Sequence, residues 1–281
     1  MFHVLGPLDV HSGDLGIHIS APKQQAVLVT LLLSADRPVS VDRLTEYVWN
    51  GAPPPAARTS LQAYIYRLRQ LLKPLRTVRL SSTSSSYMLQ LGAEELDLHS
   101  FRTRATAARS LQRGGQLEKA AREFRDALAL WRGAALDGVP GELIHQEARF
   151  LEEERLAVCE ELIDLEFALG RHAAILPELT RQASEHPLRE RPAAQLMLAL
   201  YRSGRRAEAL EVYSDVRRTL RLELGIEPGA ELRRLQAAIL GQGRPGATGA
   251  VAALEEHHGR GRRAAADCAT PVPAAVAAAA R

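Results

Sequence analysis

One helix followed at once by a short hairpin constrains this chain of 281 residues more than any other feature of it. In residues 56–73, Leu61, Ile65, Leu68 and Leu72 recur every three or four positions, which draws one narrow apolar stripe along an α-helix. Pro74 stops that helix, because proline has no N–H for the ladder and clashes with the preceding turn. Val78–Leu80 and Tyr87–Leu91 then read as two strands around a serine-rich tip at 81–86. The residues upstream complete the pattern. Phe2, Val4, Leu8 and Val10 share the parity of a half-buried strand, Ser12-Gly13-Asp14 is a turn, and Ile17 and Ile19 begin a return strand. Ser20 is expected to cap a helix opened by Pro22 and reaching Leu33. Ser40 caps a second, with Val41, Leu44, Val48 and Trp49 on its buried side, and Gly51–Pro55 ends it. Strands, three short helices and a closing hairpin make residues 1–94 an α+β winged helix-turn-helix.

After Asp97 the strand pattern disappears. Helical periodicity runs to Leu240, broken near Gly114-Gly115, Gly133–Gly141, Gly170, Pro187 and Gly204. Gly115 is followed by Ala120, Phe124 and Ala127, and Gly204 at matching offsets by Ala209, Tyr213 and Val216. Gly170 and Gly204 lie 34 residues apart, the tetratricopeptide period. A small residue after each turn lets paired helices approach, and the aromatic fills the groove between them. Residues 95–240 are therefore expected to form an all-α, tetratricopeptide-like repeat domain, which makes the whole chain mainly α. Residues 241–281, rich in Gly, Ala, Arg and Pro, are expected to be a disordered low-complexity tail.

The outward side of the helix at 56–73 carries Thr59, Ala63, Tyr66, Arg67 and Gln70, flanked by Ser60, Tyr64 and Arg69. Those are the residue types that read a major groove: arginine for guanine edges, glutamine for adenine, alanine or threonine for the thymine methyl. The net charge of +3 says little by itself. Its distribution says more. No acidic residue occurs between Glu46 and Glu94, while Arg58, Arg67, Arg69, Lys73, Arg76 and Arg79 all fall there. An acid-free basic stretch centred on one helix and its hairpin is an electrostatic footprint for phosphates.

The runs APKQQAVLVTLLL at 21–33, VSVDRLTEYVWNGAPPPAARTSLQAYIYRLRQLL at 39–72 and SYMLQL at 86–91 resemble the OmpR-type winged helix. ELDLHSF at 95–101 and the stretch 198–240 resemble the bacterial transcriptional activation domain. Together, over roughly 2–240, the chain resembles the Streptomyces antibiotic regulatory proteins, the SARP activators. That resemblance makes Arg67 the expected base-contacting residue, with Trp49, Thr59, Ser60, Tyr64 and Arg69 on the phosphate backbone. Ala63, Tyr66, Gln70, Lys73 and Arg79 join them from the outward face and the hairpin, and Thr83 and Ser85 from its tip. The tip departs from the family pattern, which places glycine and often arginine before the tyrosine. Here Thr83-Ser84-Ser85-Ser86-Tyr87 offers hydroxyls and no charge. Trp49 and Tyr87 also have the size and polarity of small-core fillers.

The resemblance implies double-stranded promoter DNA with direct repeats as the target, bound by a head-to-tail homodimer, and RNA polymerase with its sigma factor as partner. The genes would be those of antibiotic or other secondary-metabolite clusters, and the place the cytoplasm, at the nucleoid. No cofactor, metal site or membrane contact is expected. The strongest apolar run, 26–33 with Thr30 inside it, is too short to span a bilayer, and Cys159 and Cys268 suggest neither a disulfide framework nor a zinc site. No Walker A, HExxH or GxSxG sequence occurs, so nothing points to an enzyme. The GxGxxG string at 241–246 follows a helix and contains proline, unlike a dinucleotide turn. The rival reading is a tetratricopeptide-type interaction adaptor whose winged helix no longer reads DNA.

Overall fold

A computed structural model describes residues 1–92 and 95–241. The expectations for the tail and for the glycine string beyond Gly241 fall outside the described residues. The chain is mainly helical, with small N-terminal sheets, and divides into two compact units, the first spanning Met1–Leu165 and the second beginning at Glu166.

The first unit opens on β1 (Phe2–His3), β2 (Asp9–Ser12) and β3 (Leu15–Gly16), an antiparallel sheet in that order. Phe2 pairs with Val10 and both are buried, as their shared parity requires. The return strand starts earlier than Ile17, whose N–H donates to the Val10 carbonyl just past the end of β3. Helix α1 (Pro22–Leu33) buries Ala26–Leu32 without interruption and forms the centre of the core. Its expected cap does not form. Ala21, not Ser20, is the N-cap residue and gives no side-chain bond. Pro22 at the first helical position supplies the fixed φ that starts the helix without one.

The Ser40 hydroxyl does cap α2 (Val41–Trp49), accepting from the Arg43 N–H at 3.1 Å. Leu44 and Val48 are its buried side, with Val41 and Trp49 half-buried at the margin. Helix α3 (Ala57–Leu71) turns Leu61, Ile65 and Leu68 inward, and Leu72 is buried just past its end. A second sheet has the order β4-β6-β5, from β4 (Val39–Ser40), β5 (Arg79–Ser82) and β6 (Ser86–Gln90). The hairpin thus closes on a strand of two residues that leads into α2, too short to leave any period in the sequence.

The same unit continues through α4 (Asp97–Arg113), α5 (Leu117–Leu128) and most of α6 (Glu142–Ala168). Residues 2–5 are threaded among them. The Phe2 amide donates to the Glu95 carbonyl at 2.6 Å, and the carbonyls of Val4 and Leu5 accept from Leu136 and Arg132 at 3.0 and 2.7 Å. The buried Asp97 carboxylate accepts from the amides of Val4 and Leu5. The step from winged helix to helical region therefore lies inside one folded unit.

The second unit stacks α7 (Leu176–Glu185), α8 (Glu190–Arg202), α9 (Arg206–Leu224) and α10 (Ala230–Gly241). The internal repeat is visible in its turns. Gly115, after α4, and Gly204, after α8, have φ of +72° and +78°, a left-handed conformation that glycine adopts without strain. In both turns the following amide reaches back to a carbonyl five residues earlier, Gln116 to Leu111 and Arg205 to Leu200. Ala120 and Ala209 are fully buried, as are Phe124 and, to within 5%, Tyr213, so the matching offsets mark core positions.

Candidate nucleic-acid interface

The apolar stripe of α3 fixes what its other side presents. With Leu61, Ile65 and Leu68 inward, Thr59, Ala63, Tyr66, Arg67 and Gln70 are all exposed. Tyr66 is 63% exposed. Ser60, Tyr64 and Arg69 lie half-buried along the edges of that face. Lys73, Arg76 and Arg79 are exposed on the turn and strand that follow.

Four of the expected contact residues already have structural work in their side chains. The Arg69 Nε donates to the Leu80 carbonyl at 3.0 Å, tying α3 to the first strand of the hairpin. Trp49 stacks on Tyr64, with ring centroids 6.3 Å apart and planes inclined by 29°. The Thr83 hydroxyl lies 2.7 Å from that of Ser86 and accepts from the Ser86 amide at 3.1 Å, so it closes the tip of the hairpin. Ser85 is exposed at that tip, and its carbonyl accepts from the Val41 amide at 3.0 Å. Tyr87 is half-buried in β6, opposite Val39.

The fold also brings in a residue that the sequence did not point to. The Lys23 ammonium, from the first turn of α1, sits 4.9 Å from the Trp49 ring centroid and donates to the Val48 carbonyl at 3.2 Å. Lys23, Trp49 and Tyr64 form one cationic aromatic edge beside α3. Only the packing of α1 against α2 creates it, and no local pattern announces it. Arg58 behaves differently from the other cations of the acid-free stretch. It pairs with Asp42 at 3.1 Å, both side chains largely in solvent, where such a pair is weak and readily exchanged for a phosphate.

The arrangement suits a phosphate-lined groove: a protruding helix face with one arginine and short polar groups, flanked by cations and by aromatic rings with polar tips. Among the described residues, no helix is long and apolar enough to cross a membrane.

Two family profiles match the chain. One, described as transcriptional regulatory protein, C terminal, covers residues 18–83; the other, described as bacterial transcriptional activator domain, covers 96–240. The regulatory protein DnrI of Streptomyces peucetius is 38% identical over 248 residues, which span 85% of this chain and 91% of DnrI. The regulatory protein AfsR of Streptomyces coelicolor is 40% identical over 240 residues, 85% of this chain but only 24% of AfsR. The transcriptional regulatory protein EmbR of Mycobacterium tuberculosis is 36% identical over 245 residues, 86% of this chain and 63% of EmbR. The structure of EmbR in complex with a low affinity phosphopeptide superposes with a TM-score of 0.82 at 33% identity, covering 95% of this chain and 70% of that one.

Proposed function

The chain belongs to the family of Streptomyces antibiotic regulatory proteins, transcriptional regulators that join an OmpR-type winged helix to a bacterial transcriptional activation domain, and from this we propose that it activates the genes of a secondary-metabolite cluster. Residues 1–94 bind promoter DNA, and residues 95–240 carry the activating surface. Two copies bind direct repeats head to tail and recruit RNA polymerase through its sigma factor, in the cytoplasm at the nucleoid.

The observation that carries this reading is the outward face of α3, where Arg67, Gln70, Thr59 and Ala63 are exposed within a stretch free of carboxylates from residue 47 to 93. Arg67 reads a base. Lys23, Trp49, Thr59, Ser60, Tyr64, Lys73 and Arg79 engage phosphates, and Ser85 meets the backbone at the wing. Arg69 and Thr83 chiefly hold the wing in place.

Selection of duplexes from a random-sequence library, followed by binding at several salt concentrations, tests the proposal. Specific binding is expected to weaken steeply with salt, because each phosphate contact releases counterions. Arg67→Ala is expected to lose about 1–3 kcal/mol of discrimination at one base pair, the worth of a bidentate contact. Equal binding to all duplexes, unaffected by Arg67→Ala, would sink the proposal and leave the adaptor reading in its place.

A further inference from the structure

Helix α2 is fastened to the start of α6 at two points, neither of them on the outward face of α3. The first is Asn50. Its backbone ends α2 in the left-handed conformation, φ 50° and ψ 43°, and its side-chain oxygen accepts from the amide of Glu142 at 3.0 Å. That amide is one of the first-turn donors of α6 that no carbonyl within the helix can reach. One residue thus closes one helix and opens another. Gly141, just before that amide, has a φ of +137°, which L side chains rarely adopt; a Cβ there would make only ordinary contacts, 3.4 Å from Ile144 Cδ1 and 3.6 Å from the Asn50 oxygen, so the demand for glycine is conformational.

The second point is Tyr47, one turn earlier on α2. Its hydroxyl donates to Glu147 Oε1 at 2.5 Å, and the Arg43 guanidinium lies 5.5 Å from its ring. Burial and the Glu147 carboxylate push the phenol above its ordinary pKa, so it remains a donor at neutral pH.

Residues 2–5 already anchor the winged helix to the segment 95–136. One anchor permits rotation about itself; a second, on a different element, removes it. Helix α2 packs directly on α3, so whatever fixes α2 fixes the reading face. We propose that Tyr47 and Asn50 are positioning residues: by locking α2 to the N-terminal turns of α6, they make DNA binding by α3 dictate where α4–α6 stand beside the promoter. This rests on the function proposed above.

The test is the full-length variant Tyr47→Phe/Asn50→Gly. Glycine accepts φ 50° without strain, so only the side-chain bonds are removed. The anchor of residues 2–5 is left intact. Spin labels on cysteines introduced at the exposed positions Arg76 and Arg122, with Cys268→Ser and Cys159 left buried, report the distance between hairpin side and helical region. Affinity is measured on a duplex selected by the unmodified chain, and activation by transcription with RNA polymerase holoenzyme from a promoter fragment bearing that duplex.

The variant is expected to bind within about twofold of the unmodified chain, to show a broadened distance distribution, and to activate at least fivefold less. Glu147→Gln, which keeps an acceptor for Tyr47, is expected to preserve the narrow distribution. An unchanged distribution in the double variant overturns the proposal, as does full activation despite a broadened one. So does a loss of affinity that accounts for the whole loss of activation. If the unmodified chain selects no duplex, the function proposed above fails, while the spin-label distances still decide whether the lock exists.

Discussion

Both oxygens of the Asp97 carboxylate lie 3.0 Å from the amide of Val4, 93 positions earlier in the chain. Asp97 Oδ2 also accepts from Leu5 at 3.1 Å and Oδ1 from Leu98 at 2.8 Å, with 1% of the residue exposed. A buried carboxylate ringed by amides joins the N-terminal strand to the first turn of α4. Asp97→Ala strands at least the Val4 and Leu5 amides in an apolar site, at about 1–3 kcal/mol each. A total loss of roughly 2–5 kcal/mol is expected in chemical denaturation, and less for Asp97→Asn, which keeps one acceptor oxygen. A loss below about 1 kcal/mol for Asp97→Ala would show that the ring of amides contributes little.

A polypeptide of residues 1–94 lacks the hydrogen-bond partners that residues 2–5 find at Glu95, Asp97, Arg132 and Leu136. It is expected to unfold without a sharp transition, whereas residues 1–165 melt cooperatively. Calorimetry of the two distinguishes them; a cooperative transition in 1–94 contradicts the expectation.

Arg69 is expected to act through the hairpin. Removing its bond to the Leu80 carbonyl frees the wing, at about 0.5–1.5 kcal/mol of stability for Arg69→Ala. Hydrogen exchange at β5 and β6 is expected to rise in that variant while exchange in α1 stays slow. Equal protection in both proteins would assign Arg69 to the phosphates alone.

Gly204 sits at φ +78° with nothing within 4 Å of an added Cβ, so the cost of Gly204→Ala is conformational and not steric. About 1–2 kcal/mol is expected, and less for Gly204→Asn, because asparagine tolerates the left-handed region. Thermal denaturation of both variants ranks them, and a ranking with alanine the milder would contradict this account.

His3 is held below the ordinary imidazole pKa, first by burial and then by the Arg132 guanidinium, against the opposing pull of Asp97 and Asp9; His11 adds to the lowering. The unfolded chain therefore binds a proton at His3 before the folded one does. Its contribution is complete above about pH 6.5 and is lost as pH falls through the folded-state pKa. His3→Gln is expected to flatten the pH dependence of stability in that window, and an unchanged slope would assign it to other groups.

The order of elements in the winged helix was legible because stripe and parity are local. Leu61, Ile65 and Leu68, or Phe2 and Val10, reveal their burial by spacing alone. The turns at Gly115 and Gly204 were legible because the same chemistry recurs at the same offsets. The Ser20 cap was misread because proline at the next helical position makes a side-chain cap unnecessary. Strand β4, the Lys23–Trp49 contact and the Asn50–Glu142 bond left no trace, since each depends on elements far apart in sequence. The role of Arg69 depends on the hairpin folding back beside α3, whereas Thr83 closes its own turn with Ser86, a local bond that a serine-rich tip does not single out.

The threading of residues 2–5 also sets an order of events on the ribosome. The last of their partners, Leu136, is translated well after α3 and the hairpin are complete. At about 5–20 residues per second, a nascent chain waits several seconds with residues 2–5 bonded to the first sheet alone. Its finished shape arrives only once the start of the helical region has left the exit tunnel. A message truncated before that point is expected to yield no stably folded winged helix.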